Sequence, residues 1–261
     1  MPAVRPPYLD RPFAALAHRG GWLRSDGTGP ENTRRAFAHA VELGYEYLET
    51  DVRTTADGVL VAFHDRSLDR VTNGTGPVAE RTWAELSGLV VDGTEPIARM
   101  ADLLEEFGTC RFNIDLKDAR SVAPLAELVR RHGAQRRVCV GSFSTSRLAA
   151  FRRLAGQEVV TSVSPAGVAW YGFAPLLRRL PLDSGAVLQV PARVLRERVA
   201  LVRRDVVDAA HAAGRLVHVW TIDAEAEMER LLELGVDGLV TNNVEALKQV
   251  LSRHGLWEDH R

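Results

Sequence analysis

Two histidines, three carboxylates, an arginine and a lysine stand at or near the ends of short apolar runs in the first half of the chain. His18-Arg19 closes the run at 13–18; Glu49 and Asp51 alternate within 45–52; His64 lies near the end of 59–65; Asn113, Asp115 and Lys117 alternate through and just past 111–116. Strand side chains alternate between faces, so Glu49 and Asp51 point one way, as do Asn113, Asp115 and Lys117. Three carboxylates without cysteine suit a hard cation, Mg²⁺ or Ca²⁺, which takes oxygen ligands. Without a cation they would repel one another and raise each other's pKa. Taken singly, Asp115 is equally well explained by an ion pair with Lys117. A dication beside Arg19 and Lys117 prepares a place for a phosphoryl group, whose oxygens need charge-assisted donors. Two histidines then supply a base for the nucleophile and an acid for the leaving oxygen. His218 shares a strand face with Trp220 but lies deeper, and reads as core or as support behind the site. His39, His132 and His211 fall on helical patterns, and His254 and His260 in the C-terminal tail, with no chemistry attached.

These residues need a scaffold that brings strand ends to one rim. Nine strand candidates (13–18, 45–52, 59–65, 111–116, 137–143, 158–164, 186–190, 215–220 and 238–241) alternate with helical patterns at 32–44, 100–108, 121–133, 144–156, 204–214 and 224–235. Such alternation is the signature of βαβ units, and the expected fold is α/β, an irregular (β/α)₈ TIM barrel with its site at the C-terminal ends of the strands. The link from 45–52 to 59–65 is far too short for a parallel crossover. Strand two is therefore expected to overshoot the rim, turn at Asp57-Gly58 and return as an antiparallel arm carrying His64 toward Glu49 and Asp51. Residues from about 66 to 98 form an excursion over the top, and one domain, 1–261, is expected. The segment 166–182 is expected to be a barrel helix packing its aromatics on the sheet rather than a membrane-surface element.

Composition narrows the partners. A formal net charge of -1 offers no basic surface for a polyanion, so nucleic acid is not expected. No apolar run reaches bilayer-spanning length, and the first residues lack a signal-peptide core. Cys110 and Cys139 border or occupy apolar runs and read as buried thiols, so a cytoplasmic protein is expected. Nothing in the sequence fixes an oligomeric state.

The ordered set HRG (18–20), PENT followed by AF (30–33, 36–37), ETDVRTTADG (49–58), FHDRSLDRVTNGTG (63–76), NIDLK (113–117), SF (142–143), LQVP (188–191), VWT (219–221) and GVDGLVT (235–241) resembles the glycerophosphodiester phosphodiesterase family over nearly the whole chain. The resemblance implies the barrel with its small insertion, Ca²⁺ or Mg²⁺ dependence, and hydrolysis of small-molecule glycerophosphodiesters to glycerol 3-phosphate and an alcohol. Carried over by position, it implies His18 and His64 as the acid–base pair and Glu49, Asp51 and Asp115 as metal ligands. Arg19 and Lys117 become phosphate contacts, Phe143, Trp220 and Gln189 pocket walls, and Glu31 support behind the site. Asn32 is expected to cap the following helix. The sequence departs from the family in three places. Asp115 replaces the usual Glu, a loop at 21–29 lengthens the link to PENT, and Thr241-Asn242-Asn243-Val244 replaces a TD followed by proline. The competing readings are a lysophospholipase D-like enzyme on lipid-linked diesters and a barrel that binds phosphodiesters without turning them over. A glycosidase would use paired carboxylates without the histidines.

Overall fold

Runs rich in Val, Leu and Ile, bounded by turn residues and too short for helices, pair as strands. This is seen in a computed structural model that describes residues 5–22, 29–173, 183–194 and 199–257. In chain order the strands are β1 (Ala14–His18), β2 (Tyr47–Thr54), β3 (Leu60–Ala62), β4 (Val90–Val91), β5 (Glu95–Pro96), β6 (Arg111–Leu116), β7 (Val138–Gly141), β8 (Val160–Thr161), β9 (Val187–Pro191), β10 (Arg193–Val194), β11 (Val199–Ala200), β12 (Leu216–Trp220) and β13 (Gly238–Thr241). Eight of them run parallel in the ring order β1-β2-β6-β7-β8-β9-β12-β13, and β13 returns to β1. The weakest seam is β8 to β9, where Ser162 bridges Val187, Val163 N donates to Val187 O at 2.7 Å and Ala186 N to Thr161 O at 2.9 Å. The fold is the expected barrel.

Between the strands lie α1 (Arg34–Glu42), α2 (Trp83–Leu86), α3 (Met100–Glu106), α4 (Val122–Arg131), α5 (Thr145–Ala155), α6 (Pro165–Phe173), α7 (Arg204–Ala212), α8 (Glu225–Glu233) and α9 (Val244–Arg253). The pattern reading missed α9, although Val244, Leu247, Val250 and Leu251 recur at helical spacing and are buried. Of the 166–182 segment, the first half is α6, with Tyr171 2% exposed against the core; 174–182 lie outside the described residues. Among the described residues no helix is long and apolar enough to cross a membrane.

Alternation along the strands sorts the core into two layers. Leu48, Phe112, Ile114, Leu188 and Val217 face outward and pack under the helices. Leu16, Tyr47, Cys139, Val160, Val187, Leu216 and Val240 face inward and fill the lower barrel, which Tyr8 and Leu9 close from below. The same two-residue period that turns Leu16 and Tyr47 inward places His18, Glu49 and Asp51 inward one and two layers higher, at the C-terminal rim. In register, His18 lies beside Glu49, Glu49 beside Asn113, and Asp51 beside Asp115.

The arm is as expected. Strand β2 continues past the rim and β3 returns antiparallel, with Val52 opposite Ala62 and Thr54 opposite Leu60. The reversal requires φ +88° at Gly58, a conformation in which a side chain would strain the backbone. Behind the arm the excursion builds a small core of its own from Val61, Phe63, Leu68, Val78, Leu86, Val91 and Ile97. That core holds the strand end that carries His64.

Candidate active site

The rim encloses a cavity of about 420 Å³ lined by every expected site residue except Glu31. His18, at the end of β1, has Nδ1 2.7 Å from Asn242 Oδ1 and Nε2 3.9 Å from Glu49 Oε2. Burial, then the neighbouring Arg19, lower its pKa from the ordinary imidazole value. Arg19 sits in the left-handed region at φ 53°. The turn can be this tight because Gly20 follows at φ +92°, where a Cβ would stand 2.5 Å from the Ala36 side chain. Helix α1 therefore packs directly on the HRG turn. The turn aims the Arg19 backbone N–H at Glu49 Oε2 (3.0 Å) and the guanidinium at Glu31 (3.0 Å) and Asp51 (3.0 Å).

Asp51 is 1% exposed, and a charge so deep persists only with partners. It has three. Arg19 takes Oδ2, Lys117 Nζ lies 2.8 Å from Oδ1, and Asn32 Nδ2 donates to Oδ2 at 3.1 Å. Burial alone would raise the Asp51 pKa, but Lys117 and Arg19 overcome it and hold the group down. Asn32 does not cap α1. Thr33 does, accepting from Ala36 N, while Asn32 stands left-handed at φ 59° with its side chain turned to Asp51 and to the Thr50 hydroxyl (2.8 Å). Tethered at its backbone N to Arg19 O (2.8 Å), Asn32 is too close to the site to serve the helix.

Lys117 also reaches Asp115 Oδ2 at 2.5 Å, so the ion pair that the sequence allowed for these two residues is present. Among the described residues no group of three or more His, Cys, Asp or Glu stands ready to hold a metal ion. The lysine ammonium lies between Asp51 and Asp115. The donor set nevertheless fits a hard cation. Asp115 Oδ1 is buried with no hydrogen-bond partner, and burial raises the pKa of this carboxyl. Burial and the charge on Asp51 likewise push Glu49 up. Three carboxylates face one guanidinium and one ammonium here, leaving one negative charge in excess; a dication with a phosphodiester monoanion would close that balance.

The second histidine arrives on the arm. His64 Nδ1 lies 2.6 Å from Asp65 Oδ1, Arg70 Nε 2.5 Å from Asp65 Oδ2, and Arg70 also pairs with both oxygens of Glu31 at 2.7 and 3.0 Å. Burial raises the Asp65 pKa, but the Arg70 and His64 hydrogen bonds outweigh it and bring it down to about 2. Glu31, shared by Arg19 and Arg70, ties the arm to the HRG turn from behind the cavity wall.

Opposite in character is the apolar wall. Phe143, 65% exposed, meets Trp220 edge-on at 5.4 Å, and Lys117 Nζ stands 5.5 Å from the Phe143 ring centre. Gln189 lines the cavity but is committed at Nε2 to Asn113 Oδ1 (2.6 Å). His218 is fully buried in the lumen, where burial lowers its pKa to about 4, so it belongs to the core. Cys110 and Cys139 are free and buried. Of the 21–29 loop, 23–28 lie outside the described residues.

Asn242 is the neighbour of His18 that sequence reasoning missed, and Asp223 holds it. The available signal was the departure at 241–244, which reads as altered helix capping. Asn243 is indeed the cap, accepting from Ala246 N at 3.3 Å, but Asn242 turns the other way.

The family model described as the glycerophosphoryl diester phosphodiesterase family matches residues 18–246. A Mycobacterium tuberculosis protein named probable glycerophosphodiester phosphodiesterase 2 is 36% identical over 250 residues, covering 94% of this chain and 92% of the relative. A glycerophosphodiester phosphodiesterase of Caldanaerobacter subterraneus is 28% identical, covering 92% and 98% respectively. Among solved structures, the glycerophosphodiester phosphodiesterase of Agrobacterium tumefaciens superposes with a TM-score of 0.73 at 26% identity, over 90% of this chain and 99% of that one. The chain belongs to the glycerophosphoryl diester phosphodiesterase family and is an enzyme of that family, a phosphoric diester hydrolase.

Proposed function

We propose that the chain hydrolyses glycerophosphodiesters to glycerol 3-phosphate and an alcohol, with His18 as base, His64 as acid, and a divalent cation, Mg²⁺ or Ca²⁺, on Glu49, Asp51 and Asp115. One observation carries the reading. Two histidines line one cavity with their Nδ1 atoms engaged, by Asn242 at 2.7 Å and by Asp65 at 2.6 Å, which leaves each Nε2 for substrate. Arg19 and Lys117 bind the phosphoryl oxygens, and Phe143 and Trp220 cover the carbon side of the glycerol unit. Nε2 of His18 takes the proton of the attacking hydroxyl as its oxygen bonds to phosphorus; where that hydroxyl is the glycerol's own, the cyclic phosphate formed is opened to glycerol 3-phosphate by water in a second displacement. The phosphorus–oxygen bond to the alcohol breaks, and His64 delivers a proton to that oxygen. When bound, the cation supplies positive charge to the phosphoryl group and balances the buried carboxylates. Two free buried thiols suit a reducing cytoplasm, which is part of the proposal.

The test is release of glycerol 3-phosphate from glycerophosphoethanolamine by chelator-treated protein, with Mg²⁺, Ca²⁺ or Mn²⁺ restored singly. Activity should vanish with the chelator and return with a cation, and Asp51→Asn should lower cation affinity and rate together. Full activity in excess EDTA would overturn the metal assignment.

A lysophospholipase D-like reading is favoured by one observation, the apolar groups that line the cavity together with Trp220: Val163, Pro165, Val168, Ala169 and Leu201. We expect glycerophosphoethanolamine to turn over faster than a lysophospholipid at matched concentration; the reverse order would favour the lipid reading.

A further inference from the structure

We infer that Asn242, locked in orientation by Asp223, is a positioning residue that fixes His18 with its proton on Nδ1 and presents a bare Nε2 to the cavity. This rests on His18 acting as the base in the reaction above. A carboxamide has an accepting and a donating end that differ little in shape, so what surrounds it decides which end faces the imidazole. Here the surroundings decide. The Asp223 carboxylate only accepts; Oδ1 takes the Asn242 backbone N–H at 2.8 Å and the Thr241 hydroxyl at 3.0 Å, and Oδ2 takes Asn242 Nδ2 at 2.9 Å. Turning the amide over would set its carbonyl against that carboxylate and strand two acceptors without a proton between them. With Nδ2 committed, the atom 2.7 Å from His18 Nδ1 is the Asn242 carbonyl oxygen. It can only accept, so Nδ1 must carry the proton, and in the neutral ring Nε2 is then a pure acceptor.

The pair is matched. A carboxylate at position 242 would also accept from His18, but it would leave Asp223 Oδ2 facing another acceptor. An amide there meets the ring with one end and the aspartate with the other. The backbone around the pair is pinned independently, since Asn243 Nδ2 donates to Asp223 O at 3.2 Å while its own Oδ1 caps α9. The segment leaves β13 for α9, and β13 pairs with β1, Thr241 opposite Ala17, so the residue that orients the first strand's histidine comes from the end of the last strand of the ring.

The direct reading is the ring-nitrogen chemistry of His18 in ¹⁵N-labelled protein, from long-range ¹H–¹⁵N correlations, with His18→Gln identifying the signal. The wild type should show a protonated Nδ1 and a bare Nε2. Asn242→Ala and Asp223→Asn should each mix the tautomers and lower kcat by roughly 10–100-fold, the scale for partners that orient a functional histidine, while KM stays within about twofold. The double exchange Asn242→Asp with Asp223→Asn restores an alternating donor–acceptor chain. It should bring kcat back above that of Asp223→Asn alone and return the single-tautomer spectrum. A wild-type proton on Nε2, an unchanged kcat in Asn242→Ala, or losses that simply add in the double exchange would overturn the inference. Should Asn242→Ala not fold, the wild-type spectrum and the isosteric exchange still decide. The spectrum needs no substrate, so a chain that cleaved no glycerophosphodiester would refute the proposed reaction while leaving the tautomer result to be read on its own.

Discussion

His18 and His64 reach one cavity from unlike parts of the molecule. The first ends a barrel strand held on both sides, by β2 and β13, and its side chain is 18% exposed. The second follows β3, an arm paired to the overshoot of β2, bridged at Val61 to Arg99 and backed by the small core of the excursion, and its side chain is 35% exposed. Their Nδ1 partners differ in charge. His18 meets a neutral amide, in a buried place beside Arg19 that lowers its pKa; His64 meets the Asp65 carboxylate, which Arg70 holds ionised. An amide orients a ring without bringing a charge to it, whereas a carboxylate orients it and brings one. Two chemically identical side chains are thereby set apart, in keeping with the proposed roles of base for the barrel histidine and acid for the arm histidine.

The largest expected effect breaks the comparison on the barrel side. His18→Ala should cost about 10³-fold or more in kcat/KM on glycerophosphoethanolamine and on a nitrophenyl glycerophosphodiester alike, because the nucleophile must lose its proton with either leaving group. A loss confined to one substrate would contradict it. On the arm side, Asp65→Asn keeps the shape and removes the charge. We expect roughly a tenfold drop with the natural diester and little change with the nitrophenyl one; equal drops would mean that Asp65 serves the phosphate and not the acid.

His218 sharpens the comparison most quietly, as a histidine buried with no hydrogen-bond partner at either nitrogen. Its folded pKa of about 4 lies below the unfolded value of 6.5. Between those values the unfolded chain binds a proton that the folded chain refuses, so this contribution is complete above 6.5 and is lost as pH falls toward 4, by about 3 kcal/mol in all. His218→Leu should remove that part of the pH dependence from urea midpoints compared at pH 7 and about 4.5, with kcat unchanged. An identical pH slope in wild type and variant would show that His218 does not refuse the proton.

Much of this was legible in the residues. The two-residue period placed His18, Glu49, Asp51, Asn113 and Asp115 on inward faces, and the shortness of the link between 45–52 and 59–65 forced the arm that returns His64. What was illegible depended on pairing between distant parts of the chain. Asn242 lies 224 residues from His18, and only closure of the ring through β1 and β13 makes them neighbours. Local spacing likewise suggested the bond from Asp115 to Lys117, but not that Lys117 would bridge to Asp51 across the β2–β6 seam. Asn32 read as a cap because capping is local. Its turn toward Asp51 depends on a left-handed backbone that asparagine tolerates but does not announce.

The division of labour between the two histidines is most directly tested by His64→Ala assayed on two leaving groups. An alkoxide needs a proton as it leaves, the step proposed for His64, and a nitrophenolate does not. The variant should therefore lose roughly 10²–10⁴-fold on glycerophosphoethanolamine while staying within about threefold of wild type on the nitrophenyl glycerophosphodiester. Equal losses on both substrates would contradict the assignment of His64 as the acid, and near-normal rates on both would remove it from the reaction.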